Sequence, residues 1–159
     1  VDDGVGPLVM RVFLVRHGEA CDAIVDPARP LTDAGRDEIA RLAEWCAANG
    51  VAPQKIRHSG ILRAAQTAEI LGARLAPSSG VRAVRGLAPD DHADVCAEEL
   101  KHEPASTMLV THMPFVGELA ALLVGSRAPA SFATGSIACF DREGEEFRLA
   151  ATWSPGADD

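Results

Sequence analysis

The chain has 159 residues, 47% hydrophobic and 24% charged, the size and balance of one globular domain rather than a disordered segment. Fifteen Lys plus Arg against 23 Asp plus Glu leave a formal net charge of −8, and aromatic residues make up only 4%. That composition argues against a nucleic-acid partner, which needs a basic face for phosphates and rings for stacking on bases. No apolar run approaches the roughly 20 residues of a membrane span, and no membrane partner is expected. The four cysteines, Cys21, Cys46, Cys96 and Cys139, show no CxxC pairing and read as free thiols, mostly in the core. No basic segment followed by an apolar stretch marks a secretory leader, so the expected compartment is the cytoplasm.

Residues 1–9 (VDDGVGPLV) are Gly-rich and predict a flexible tail, or a stretch upstream of a natural start at Met10. Residues 11–15 (RVFLV) are short, apolar and β-branched, the pattern of a buried strand. A loop through Pro27 and Pro30 follows. Thr32 then stands as the N-cap of a helix whose apolar positions Ile39, Leu42, Ala43 and Cys46 fall on one face, with Asn49-Gly50 as its stop. Residues 55–58 read as a brief strand. Next comes a helix to about Leu75, capped by Ser59, with Leu62, Ala65, Ala68 or Glu69, and Gly72 sharing sides only imperfectly, so that its many alanines argue for it by propensity more than by amphipathicity.

A strand at 81–84 and a short helix at 91–101 precede the second clear buried strand, residues 107–111 (TMLVT). A helix over 115–124 follows, then strands at 136–141 and 146–153 around the turn DREGE. This alternation predicts an α/β fold: a single domain, with a mostly parallel central sheet flanked by helices on both faces and an antiparallel portion near the C-terminus. The domain is bounded at 10–153, with 154–159 as a C-terminal tail. Glu38, Glu44, Glu98 and Glu99 read as solvated helix faces.

The informative polar residues fall just beyond strand ends. Arg16-His17-Gly18 follows the first strand, Ser59 and Arg63 follow the second, and His112 follows TMLVT directly. Open parallel sheets bind ligands at the carboxyl ends of their strands, so these segments converge on one edge. Two guanidiniums and a protonated imidazole suit a phosphoryl group. The other imidazole, kept neutral by the surrounding positive charge, is a nucleophile toward phosphorus. Arg16, His17, Arg63 and His112 are therefore the candidate catalytic residues. Arg16, Arg63 and His112, with Gly18 and Ser59, are the candidate phosphate contacts, and Gly18 leaves room for close approach.

Five segments carry a resemblance across nearly the whole span from Met10 to Trp153. They are VFLVRHGE (12–19), RPLTDAG (29–35), SGILRAAQTA (59–68), MLVTHMP (108–114) and FATGSIA (132–138). In these the chain resembles the histidine phosphatase superfamily, and by its short length and ending it most resembles phosphohistidine phosphatases of the SixA type. The resemblance implies a phosphoglycerate mutase-like fold, with His17 as nucleophile and Arg16, Arg63 and His112 completing the phosphate pocket. Phosphoryl transfer needs mainly positioning and charge stabilisation, which these residues supply, so no cofactor and no metal are expected. Little chain separates the matching segments, which implies an open groove suited to a phosphohistidine on a protein surface. The implied partner is a phosphorylated protein, such as a histidine phosphotransfer domain, or a small phosphorylated metabolite.

Two departures stand out. Gly60 occupies a position where the family has Pro, and Gly86 one where relatives carry an acidic residue. Glu19, Asp22, Asp90, Asp91 and His92 are the available proton donors, each of which also reads as plain surface. Three other functions remain: a small-molecule phosphatase or mutase, a non-catalytic phosphate-binding module, and a metal site at His17, His112 and Cys21. The last lacks ligand spacing.

Overall fold

The structure, a computed structural model, describes residues 10–156. The expected tail at residues 1–9 and the last three residues lie outside that range. Six strands form one sheet in the order β3-β2-β4-β1-β5-β6, where β1 is Met10–Arg16, β2 Lys55–His58, β3 Val81–Ala83, β4 Thr107–Thr111, β5 Ile137–Glu143 and β6 Glu146–Trp153. β1, β2, β3 and β4 run parallel, while β5 and β6 join antiparallel beyond β1. Four helices, α1 Asp33–Ala48, α2 Leu62–Leu75, α3 Ala93–Leu100 and α4 Phe115–Val124, complete the fold. The α/β fold with a mixed sheet agrees with expectation.

The central strands β1 and β4 read as near-continuous apolar runs because both sheet faces are covered there. Successive side chains of β1 point to opposite faces. Phe13 and Val15 pack with Ile39, Leu42, Ala68 and Leu71 of α1 and α2. Val12 and Leu14 pack on the other face with Cys96, Leu100, Phe115 and Leu119 of α3 and α4. β4 is buried throughout. Cys46, Cys96 and Cys139 are buried free thiols, and Cys21 is half-buried.

Local details correct several boundaries. Thr32 caps α1 as expected, its Oγ1 accepting from the Gly35 N–H. Ser59 does not cap α2. That helix starts after Ile61 without a side-chain cap, because Gly60 adopts φ 87 and turns the chain before the helix begins. The buried face of α2 is accordingly Ala64, Thr67, Ala68 and Leu71, and Leu62 is exposed. α3 begins two residues later than expected. Beyond Trp153 the chain stays on the domain as far as Pro155, whose carbonyl accepts from Arg41 Nη1 at 2.9 Å.

Candidate active site

The parallel register builds the site. Arg16 of β1 is opposite Thr111 of β4, so the next residue of each strand, His17 and His112, leave the sheet side by side. Their ring centroids are 5.0 Å apart, close to the spacing between neighbouring strands. His58 of β2 is opposite Val110, which brings Ser59 alongside, and its Oγ lies 2.7 Å from His112 Nε2. From the first turn of α2, Arg63 reaches back so that its Nε donates to His17 Nε2 at 3.3 Å. The four candidate catalytic residues thus meet at one edge, Arg16 through its charge on both imidazoles.

His17 has a defined tautomer. Its Nδ1 lies 2.7 Å from the Gly18 carbonyl, and a carbonyl only accepts, so Nδ1 carries the proton. Nε2 therefore keeps its lone pair. Burial pushes the His17 pKa down to about 4; the Gly18 hydrogen bond opposes that, and the charges of Arg63, Arg16 and Arg29 add to it. Positive neighbours thus act as expected, but burial is the larger cause. The residue is only 5% exposed, so its ring is recessed from the surface.

His112 departs from expectation. Burial, then the neighbouring His17, Arg63, Arg16 and Arg29, push its pKa down to about 3. Burial and positive neighbours thus hold the ring neutral near pH 7, and the protonated imidazole anticipated there requires an opposite charge beside it. Its Nδ1 is buried without a hydrogen-bond partner. An arriving phosphate dianion supplies the opposite charge that favours protonation.

The remaining candidates divide. Gly18 is not free to contact phosphate through its N–H, which donates to Thr67 Oγ1 at 3.0 Å. What approaches Gly18 is α1: a Cβ there would come within 2.9 Å of Ile39 Cγ1 and 3.0 Å of the Gly35 carbonyl. Ser59 serves His112 and also accepts from the Ile61 N–H. Arg16 is held by Nη1 donating to the Phe132 carbonyl at 2.7 Å, while its Nε is buried and unpartnered. Among the donor candidates, Glu19 Oε1 accepts from the Thr32 hydroxyl, Asp22 from the Ile24 N–H and Asp91 from the Ala88 N–H. Asp22 and Asp91 thus serve their own loops, and Glu19 reaches across to the N-cap of α1.

Three contributors escaped the sequence reading. Arg29 adds a third guanidinium whose charge reaches His17, Arg63 and His112. Thr67 ties the His17 loop to α2, its hydroxyl donating to the Arg63 carbonyl. Glu38, expected to be solvated, instead accepts from the Glu19 N–H and the Thr134 hydroxyl and so braces two loops. Among the described residues, no group of three His, Cys, Asp or Glu side chains is placed to hold a metal ion, and no helix is long and apolar enough to cross a membrane.

Known proteins are similar to this chain in sequence and fold. The sequence model of the histidine phosphatase superfamily (branch 1) matches residues 12–88. Phosphohistidine phosphatase SixA of Escherichia coli (strain K12) is 35% identical over 134 residues, covering 81% of this chain and 83% of that protein. The chain belongs to the histidine phosphatase superfamily. A SixA homologue of Haemophilus influenzae is 32% identical over 143 residues, covering 81% of this chain and 86% of its own length. The protein histidine phosphatase SixA complexed with tungstate superposes on this superfamily member with a TM-score of 0.85 at 32% identity, over 94% of this chain and all of that one. The phosphoglycerate mutase-like architecture follows.

Proposed function

We propose that this phosphatase removes phosphoryl groups from histidine side chains of proteins, through a phosphohistidine intermediate on its own His17 and without a metal. The observation that carries the reading is the His17 tautomer: Nδ1–H on the Gly18 carbonyl leaves the Nε2 lone pair beside Arg63. Similarity to SixA proteins supports the substrate class, and tungstate in one of them is a tetrahedral oxyanion of phosphate-like shape.

In the first step the free ring nitrogen of the substrate phosphohistidine takes a proton from solvent, His17 Nε2 attacks phosphorus, and the substrate P–N bond breaks so that a neutral imidazole leaves. Arg16, Arg29 and Arg63 neutralise the transferring phosphoryl oxygens, with His112 joining them once the anion raises its proton affinity. Water then attacks the phosphorus on His17, releasing phosphate and restoring the neutral ring. A departing imidazole is basic near neutral pH, which removes the need for a dedicated carboxylic acid at the position Gly86 occupies. The runner-up substrate, a small phosphate ester, leaves as an alkoxide and makes that demand.

The test compares a phosphohistidine-bearing phosphotransfer domain with sugar phosphates and phosphoglycerate at equal concentration, with and without EDTA. Preferred turnover of the phosphoprotein, unaffected by EDTA, is the expected result. Preference for an ester contradicts the substrate assignment, and inhibition by EDTA contradicts the metal-free mechanism.

A further inference from the structure

Between Cys21 and Pro30 the chain leaves the domain and returns. The Cys21 N–H donates to the Pro30 carbonyl at 2.8 Å, and Ala20 pairs with Leu31 in an antiparallel bridge. Residues 22–29 therefore form a closed loop whose root is four residues from His17. The loop is braced along its length. The Asp22 carbonyl accepts from the Val25 and Asp26 N–H groups, and the Asp26 carbonyl from the Arg29 N–H. Asp22 Oδ1 accepts from the Ile24 N–H and Asp26 Oδ1 from the Ala28 N–H.

Arg29 closes the neck. It holds the left-handed conformation at φ 50, disfavoured for a residue with a Cβ, and its Nε donates across the loop to the Cys21 carbonyl at 2.9 Å. The positive charge of the same guanidinium is felt at both His17 and His112, so the neck of the loop lies within electrostatic reach of the two imidazoles. On this braced support Ile24 is 94% and Val25 79% exposed, the two most exposed large hydrophobic side chains among the described residues. Three residues of chain keep Ile24 within about 11 Å of Cys21.

Single exposed apolar residues are ordinary on protein surfaces. This pair differs in being adjacent, on a loop without a core of its own, whose root at Cys21 is closed by Arg29 four residues from His17. A small phosphorylated molecule ends at the pocket. A protein bearing phosphohistidine does not: because His17 is recessed, bringing a short histidine side chain to it presses the surrounding surface against the rim.

We propose that Ile24 and Val25 are a docking contact for the phosphohistidine-bearing protein, selecting protein over small-molecule substrates. The proposal rests on the phosphohistidine reading above. Loop bracing serves it, since a contact already ordered loses less entropy on binding.

The experiment measures kcat/KM of the full chain and of I24S/V25S and I24L/V25L variants on two probes. One is a helical histidine phosphotransfer domain phosphorylated on its histidine; the other is free phosphohistidine. For I24S/V25S the ratio of protein to free-substrate kcat/KM should fall about tenfold, equivalent to about 1.4 kcal/mol, through KM rather than kcat. I24L/V25L should restore it. An unchanged ratio, or equal loss on both probes, overturns the docking role while leaving the phosphohistidine reading intact. Wild-type protein inert on the phosphoprotein overturns that reading, and the proposal with it. If sedimentation shows a wild-type dimer that I24S/V25S dissolves, the pair serves a second copy of this chain and the proposal fails.

Discussion

At the residue scale, the proposed mechanism depends on two imidazoles kept neutral for different ends: His17 to offer a lone pair, His112 to await an anion. That neutrality carries a stability signature. In the unfolded chain both rings titrate near 6.5, and in the folded site near 4 and 3. Buried His58, also shifted down by burial, adds to them. Between those limits the unfolded state binds more protons, so stability is fully present above about pH 6.5 and is lost as pH falls toward the folded values. At pH 5 each of the two site rings contributes a loss on the order of 1–2 kcal/mol. Urea midpoints at pH 7 and pH 5 should drop accordingly, and an H17N/H112N double variant should lose much of the drop; an undiminished drop in the variant contradicts the assignment. In the proposed mechanism Ser59, hydrogen-bonded to His112 Nε2, positions that ring. S59A should lower kcat/KM about tenfold, and S59T, which keeps a hydroxyl, should recover most of it; failure of that recovery counts against a role for the hydroxyl.

At the element scale, the loop bearing His17 is clamped between α1 and α2. Gly35, in the first turn of α1, lies against the Glu19 backbone, and a Cβ there would stand 2.1 Å from the Glu19 carbonyl oxygen. Backbone offers no flexible end to move aside, so G35A should destabilise by about 1–3 kcal/mol and reduce activity by displacing the loop, as measured by thermal melting and steady-state kinetics. Stability and turnover like wild type would show that the clamp is slack. Elements set by local pattern were legible in the sequence: TMLVT is β4, and Ile39, Leu42, Ala43 and Cys46 are the buried face of α1. α2 was harder. Its alanines give little contrast between faces, and Gly60 at φ 87 shifts its start, which turned the expected face from Ala65 toward Ala64.

At the scale of the whole molecule, three parallel strands deliver their next residues to one edge, and that convergence was readable from the positions of His17, Ser59 and His112 after apolar runs. Partners fixed by long-range contacts were not. Arg29 reads as an ordinary loop cation until its bond to Cys21 and its charge on His17 are seen. Thr67 and Glu38 are helix residues whose partners lie far away in sequence, 49 residues off for Gly18 and 19 for Glu19. Burial, the main cause of both depressed histidine pKa values, likewise emerges only from packing.

The most direct measurement is to quench the enzyme during turnover of a 32P-labelled phosphohistidine protein and locate the label. The mechanism predicts phosphate on His17 in an acid-labile, base-stable linkage, absent from an H17A variant that is also inactive. Label on any other residue, or turnover retained by H17A, would contradict it.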